Sequence, residues 1–331
     1  MPRRMNVLGL VGLLLAASLV AAPPVSVAQA DSSGTGEDQS ECDLNPGRTT
    51  ITVLSGGAER TVVAYVPATA KPARALPLVL DLHGSNSTPE EQLTRSELDQ
   101  TAEREGFIVA APQGAIPAPA GFTWNVPLTA TDGPGAPDDV AFLQAVIGTL
   151  VDTGCADGSR VYAAGYSGGG RMVSQFACQH PELLAAIAPV AGLRAGAPLT
   201  TAEGAVPNPA TCAPSQGVPV ITFNGTADPV NPFADGGAPY WGYGALDASE
   251  RWAEINGCHT TSETTVSPNV SLITHGGCPQ HAVVQQYVVQ GGGHTWPGGN
   301  AAAFPGAGIT TQEISANDLM WSFFEHRKTR F

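Results

Sequence analysis

From residue 76 to the C-terminus, short, mainly apolar segments alternate with helical patterns. Residues 76–82 (LPLVLDL), 107–111, 160–166, 185–190, 218–223 and 283–289 have the length of strands. A strand that is apolar along its whole length needs cover on both faces, which is the condition of a parallel sheet. Helix signals fall between these segments. Thr88-Pro89-Glu90-Glu91 reads as N-cap, N1 proline and capping-box acid, with a helix to 105 stopped by Gly106. Asp138 and Asp139 open a helix whose Val140, Leu143, Ile147 and Leu150 recur three or four apart. Further helices read over 168–179, from an Asp247 cap to about Gly257, and from a Ser315 cap to about Lys328. Residues 49–54 and 61–66, around Ser55-Gly56-Gly57, read as an antiparallel pair at a sheet edge. The alternation specifies an α/β fold with a mostly parallel central sheet flanked by helices.

The chain opens with an address. Arg3 and Arg4 precede an apolar run over 7–22, and Ala28-Gln29-Ala30 supplies a small-residue cleavage site. Residues 1–30 therefore read as a secretory signal peptide, and the run is short for a membrane span. Residues 31–41 (DSSGTGEDQSE) offer no apolar side chain to bury and read as a disordered leader. No linker-like stretch divides residues 42–331, so they read as one catalytic domain. With 15 basic against 29 acidic residues, net −14, the chain lacks the positive footprint of a nucleic-acid binder. The same charge repels anionic membranes once the signal is removed.

Six cysteines in an exported chain argue for a disulfide-stapled fold. Cys258 and Cys278 flank a Thr/Ser/Val-rich hairpin or loop excursion and read as one pair. Cys178 near a helix end and Cys212 in the loop after the next strand read as a second. Cys42 and Cys155 remain, tying the N-terminus to a central strand. Zinc is the rival use, but no C-x-x-C pair or Cys/His cluster is present. No metal or cofactor is implied.

Gly165-Tyr166-Ser167-Gly168-Gly169 is G-x-S-x-G between an apolar strand and a helix pattern, the context a nucleophile elbow requires. A serine hydroxyl needs a base to take its proton and an acid to hold that base. Asp228, just past strand 218–223, is the candidate acid, with Asp235 as fallback. Of seven histidines, His294 follows a strand behind three glycines that let a loop deliver an imidazole. His180 and His326 read as helix-end and surface residues, and His259, His275 and His281 as solvated positions in or near the 258–278 excursion. His83 is assigned to the oxyanion region. There the candidate donors are the backbone N–H of Ser85, after strand 76–82, and that of Gly168, after the nucleophile.

Together His83-Gly84, the elbow, Gly225-Thr226-Ala227-Asp228-Pro229-Val230 and Gly293-His294-Thr295-Trp296-Pro297-Gly298 resemble the polyhydroxybutyrate depolymerase-like esterases, a group with the α/β-hydrolase fold that also takes in feruloyl and acetylxylan esterases of carbohydrate esterase family 1 type. The resemblance runs from about Cys42 to the C-terminus. It implies a Ser167, Asp228, His294 triad with Ser85 and Gly168 at the oxyanion. This chain has Asn224 and Ser85 where the group often has histidine and cysteine. Depolymerases of solid polymer usually add a linker and a binding domain, and none follows the last helix pattern here. That favours soluble hydroxyalkanoate esters or oligomers, with plant-wall polysaccharide esters as the alternative substrate. A non-catalytic, hydrolase-like surface binder is the reading from a different class.

Aromatic residues make up only 6% of the chain, so their clusters carry information. Trp124, Tyr240, Trp241, Tyr243 and Trp296 all fall in loops. Trp296, Trp124 and Trp241 are therefore candidate substrate contacts, and packing beneath long loops is the equal alternative.

Overall fold

The computed structural model describes residues 42–69, 74–126, 133 and 135–329. The signal and leader segments read from the sequence lie outside these residues. The compact unit spans Gln39–Phe331. Among the described residues there are fourteen strands and six α-helices. In chain order the first are β1 (Gly47–Ser55), β2 (Ala58–Val66), β3 (Leu76–Leu82), α1 (Pro89–Ser96), α2 (Leu98–Glu105), β4 (Ile108–Pro112), β5 (Ile116–Ala118), β6 (Gly121–Thr123), α3 (Asp139–Asp152) and β7 (Ala156–Tyr166). Then follow α4 (Gly168–Gln179), β8 (Ala186–Val190), β9 (Pro198–Thr200), β10 (Ala205–Pro207), β11 (Val220–Gly225), α5 (Ala245–Ile255), β12 (Thr260–Ser267), β13 (Val270–Gly276), β14 (Val284–Val289) and α6 (Ala316–Phe324).

Ten strands form one sheet in the order β1-β2-β4-β3-β7-β8-β11-β14-β13-β12. The six central strands, β4 through β14 in that order, run parallel. The β1–β2 and β12–β13 hairpins extend it antiparallel at either edge. Alternate residues of each central strand enter opposite cores. Leu78, Leu80, Val161 and Ala163 pack with Phe142 of α3, Met172 of α4 and Trp252 of α5. Val79, Tyr162 and Ala164 pack on the other face with Leu93 of α1, Leu98 of α2 and Met320 of α6. Both faces are covered, as the continuous apolar strands demand.

Three helix signals resolve differently from the sequence reading, each for a local reason, and the last helix ends at Phe324 rather than near Lys328. The helix expected over 88–105 is two helices. Glu97 adopts a left-handed φ of 53° between them. There the Ser96 hydroxyl turns inward to donate to Asp81 and accepts the Leu98 N–H. Glu91 does not close the capping box; its carboxylate accepts from Ser87 and pairs with Arg95. Asp247 is not an N-cap but sits at N3, accepting the N–H of the true cap, Gly244.

Disulfides join Cys42 to Cys155, Cys178 to Cys212 and Cys258 to Cys278. The first ties the start of the described chain to β7, the second holds the end of α4, and the third closes the base of the β12–β13 hairpin.

Candidate active site

In a sheet of this kind the loops at the carboxyl ends of the parallel strands converge on one crevice. Ser85 follows β3, Ser167 follows β7, Asp228 follows β11 and His294 follows β14. Ser85, Ser167 and His294 line a shared cleft of about 340 Å³ with Arg171, Tyr240 and Phe304. A larger cavity of about 560 Å³ opens near Ala185, Pro219 and His281, at the amino ends of β8, β11 and β14. None of the candidate catalytic residues lines it.

Ser167 stands between β7 and α4 with φ 53° and ψ −112°. Positive φ is costly for a residue with a Cβ, and here the surroundings enforce it. The Ser167 N–H donates to Val190 O on the neighbouring strand, and its carbonyl accepts the N–H of Arg171. The flanking glycines serve close approach. A Cβ on Gly165 would lie 2.7 Å from the Gly169 carbonyl, and one on Gly169 would overlap the Leu82 carbonyl oxygen. Without these glycines α4 would stand off the sheet and carry Ser167 with it.

Asp228 and His294 meet. His294 Nδ1 lies 2.7 Å from Asp228 Oδ2, with both side chains buried. The other carboxylate oxygen, Oδ1, accepts the N–H groups of Val230 and Asn231, both at 2.8 Å. A carboxylate held this way keeps the proton on Nδ1 and leaves Nε2 as an acceptor. The residue is braced through its backbone: the His294 main-chain N–H donates to Ala307 O, and Tyr166 Oη–H donates to the His294 carbonyl. The fallback acid, Asp235, instead accepts the Gly244 N–H in its own loop. The other histidines stay outside the cleft lining. His275, expected at a solvated position, is buried on β13 of the edge hairpin, paired with Thr261 of β12.

At the oxyanion region, Ser85 N lies 2.9 Å from the point a Gly168 Cβ would occupy. The two candidate donors therefore approach side by side, and any Gly168 side chain would fill the space. His83 fixes this turn. Its Nε2 accepts the Gly114 N–H at 2.9 Å, so its proton is on Nδ1 and donates to Gly84 O at 2.7 Å. Trp124 Nε1–H then donates to the His83 carbonyl.

Burial pushes Asp81, bonded to Gln92 and Ser96, from its ordinary 3.8 up to about 7. It also drives His83 from 6.5 down to about 4. The two act on stability with opposite signs. Asp81 favours the fold while protonated, a contribution lost as pH rises from 3.8 to about 7. His83 favours it while neutral, a contribution lost as pH falls from 6.5 to about 4. Asp81→Asn removes one slope and leaves the other. Urea unfolding midpoints of the variant should then climb more steeply than wild type between about pH 4 and 6.5. An unchanged slope would dismiss Asp81 as the opposing group.

The tryptophans are a correction. Trp124, Trp241 and Trp296 are each at most 1% exposed and cannot touch a substrate. Each ring buries its apolar body and satisfies its one donor internally: Trp124 on His83 O, Trp241 on Pro232 O and Trp296 on Asn317 Oδ1. The loops above them are rich in Gly, Pro and Ala, so a large ring is what fills the space. Of the five loop aromatics named from the sequence, Tyr240 alone lines the cleft, where Phe304 joins it. The sequence reading passed over Arg171. The available signal was its spacing, four residues past Ser167 and so one helical turn along the same face. Among the described residues, no cluster of three or more His, Cys, Asp or Glu side chains is placed to hold a metal ion.

Comparison with known proteins gives this geometry a context. A family model described as esterase PHB depolymerase matches residues 61–226, half of the chain. Putative esterase NocK of Nocardia uniformis subsp. tsuyamanensis is 30% identical over 279 residues, covering 75% of this chain and 73% of the relative. Feruloyl esterase B of Piromyces equi is 30% identical over 241 residues, 71% of this chain but 42% of its own length. Bifunctional acetylxylan esterase/xylanase XynS20E of Neocallimastix patriciarum is 26% identical, over 72% of this chain and 31% of its own. The chain thus spans less than half the length of two of these three relatives. Among solved structures, acetyl xylan esterase from Aspergillus awamori superposes with a TM-score of 0.58 at 19% identity, covering 84% of this chain and 99% of that one. That likeness identifies the α/β-hydrolase fold. With the family model across half its length and a relative matched along most of both chains, this protein belongs to the esterase PHB depolymerase family.

Proposed function

We propose that the chain is a secreted serine esterase that cleaves carboxylic esters through an acyl-enzyme. The observation that carries this reading is the Asp228–His294 bond opening on the same cleft as a Ser167 held at positive φ. His294 Nε2 accepts the Ser167 proton as Oγ attacks the ester carbonyl. The N–H groups of Ser85 and Gly168 take the charge that develops on the carbonyl oxygen. The intermediate collapses, the C–O bond to the leaving alcohol breaks, and His294 returns its proton to that alcohol. Water then gives a proton to His294 and adds to the acyl carbon; the bond to Ser167 Oγ breaks, His294 returns its proton to that oxygen, and the acid leaves. Asp228 stays ionised throughout and holds the imidazole in the required tautomer.

Short hydroxyalkanoate esters or oligomers are the leading substrates, supported by the matched family and by a cleft of about 340 Å³. Feruloyl or acetylxylan ester hydrolysis is the second reading, supported by the relatives bearing those names. Export by an N-terminal signal peptide over 1–30 agrees with three disulfides. A fluorophosphonate is expected to label Ser167, read by peptide mass spectrometry, and Ser167→Ala to abolish the adduct. No adduct on Ser167 returns the chain to the non-catalytic class. Hydroxybutyrate oligomers, methyl ferulate and acetylated xylan, assayed side by side, then rank the substrates.

A further inference from the structure

Resting on the esterase reading above, we infer that Arg171 is an anion-binding residue of the cleft, and that it selects esters carrying a free carboxylate close to the scissile bond. Arg171 lies in the first turn of α4, its N–H on the Ser167 carbonyl, and its side chain lines the cleft with Ser85, Ser167 and His294. Its guanidinium lies 4.2 Å from the centre of the Tyr240 ring. Nη2 donates to Ser85 Oγ at 3.2 Å, while Nε is buried without a partner. Among the described residues Nη1 also has none, and no carboxylate comes within ion-pair distance of Arg171.

That isolation is unusual in this molecule. The chain carries nearly twice as many acidic as basic residues. Arg48, Arg60, Arg104, Arg160 and Arg251 each meet a carboxylate within 3 Å. Arg194, buried and unpaired by charge, donates Nη1 and Nη2 to the carbonyls of Tyr243 and Trp241, though its Nε too lacks a partner. Arg95, on the same cleft, is committed to Ser87, Ala303 and Glu91. Arg171 alone of these cleft and core arginines has neither a carboxylate nor a backbone carbonyl. A half-buried cation without a counter-ion is costly, and burial disfavours its charged form. A ligand carboxylate supplies what is missing: two oxygens in the plane of the guanidinium fork, against the face of Tyr240. Held there, the substrate has its ester carbonyl beside Ser167 and the Ser85 and Gly168 donors.

The carboxylate can sit on the acyl or the alcohol side, and two matched pairs separate these. Monoethyl glutarate against ethyl 4-carbamoylbutanoate tests the acyl side. 3-Butyryloxybutyrate against 3-butyryloxybutyramide tests the alcohol side. Each amide removes the charge at nearly constant shape. Wild type is expected to favour the acid in one pair by about tenfold to a hundredfold in kcat/KM, mainly through KM. Added salt should shrink the preference. Arg171→Met should erase the acid-to-amide ratio, and Arg171→Lys should restore part of it. Equal rates for acid and amide in both wild-type pairs overturn the inference, with no variant needed. So does an Arg171→Met variant that keeps the ratio while slowing both substrates, which makes Arg171 a positioning residue for Ser85. Failure of the esterase reading looks different: neither the amides nor p-nitrophenyl butyrate is hydrolysed, and Ser167 takes no fluorophosphonate.

Discussion

Asp228→Asn should cut kcat for p-nitrophenyl acetate by about 10⁴-fold, and Ser167→Ala by about 10⁶-fold, with little change in thermal midpoint. The aspartate variant is the more informative because it is nearly isosteric. Its Oδ1 keeps the N–H groups of Val230 and Asn231. Its amide nitrogen, however, replaces the oxygen that accepts from His294 Nδ1. The imidazole then takes the other tautomer, with Nδ1 as acceptor and the proton on Nε2. In that state it cannot receive the Ser167 proton. The loss should fall on kcat, since the cleft wall is unchanged. Full activity in Asp228→Asn would move the acid elsewhere. Full activity in Ser167→Ala would remove the nucleophile from this elbow altogether.

Gly169→Ala should lower stability by several kcal/mol and depress activity, whereas Gly148→Ala should raise stability by roughly 0.5–1 kcal/mol. The same methyl group is added to a helix in both. On α3, a Cβ at Gly148 meets nothing within 4 Å, so the gain in helix propensity is unopposed. On α4, a Cβ at Gly169 overlaps the Leu82 carbonyl and lies 2.6 Å from that of His83. Both atoms are backbone at the end of β3 and its turn, and neither can swing aside. Relief requires α4 to lift from the sheet, which parts Gly168 from Ser85 and spoils the donor pair. Thermal melts and p-nitrophenyl ester rates of the two variants give the contrast directly. A Gly169→Ala protein as stable and active as wild type would refute the close approach of α4 to β3.

Element type was legible because it depends on local pattern. The parallel strands have runs of apolar residues that exclude any exposed face, and Thr88, Asp138 and Ser315 announce helix starts through side chains that accept nearby N–H groups. Where a local signal competed with a distant one, the distant one won. Ser96 bends toward Asp81, fifteen residues earlier, and divides what periodicity presents as one helix. The tryptophans show the same limit. Nothing in Phe122-Thr123-Trp124 or His294-Thr295-Trp296 says whether a loop ring faces solvent or a carbonyl beneath it, because its partner comes from another part of the chain.

By itself, then, the sequence determined an α/β layering, the strand-to-helix turn that carries Ser167, and the strand ends that carry Asp228 and His294. The physical reason is that apolar runs, caps and obligatory glycines act over a few residues. The tertiary structure alone decided that Asp228 and His294, 66 residues apart, meet at 2.7 Å. It alone turned three tryptophans into core and left Arg171 beside Ser85, 86 residues away, with no carboxylate among the described residues. Those outcomes depend on which surfaces the packed sheet brings together and which it shuts off from water.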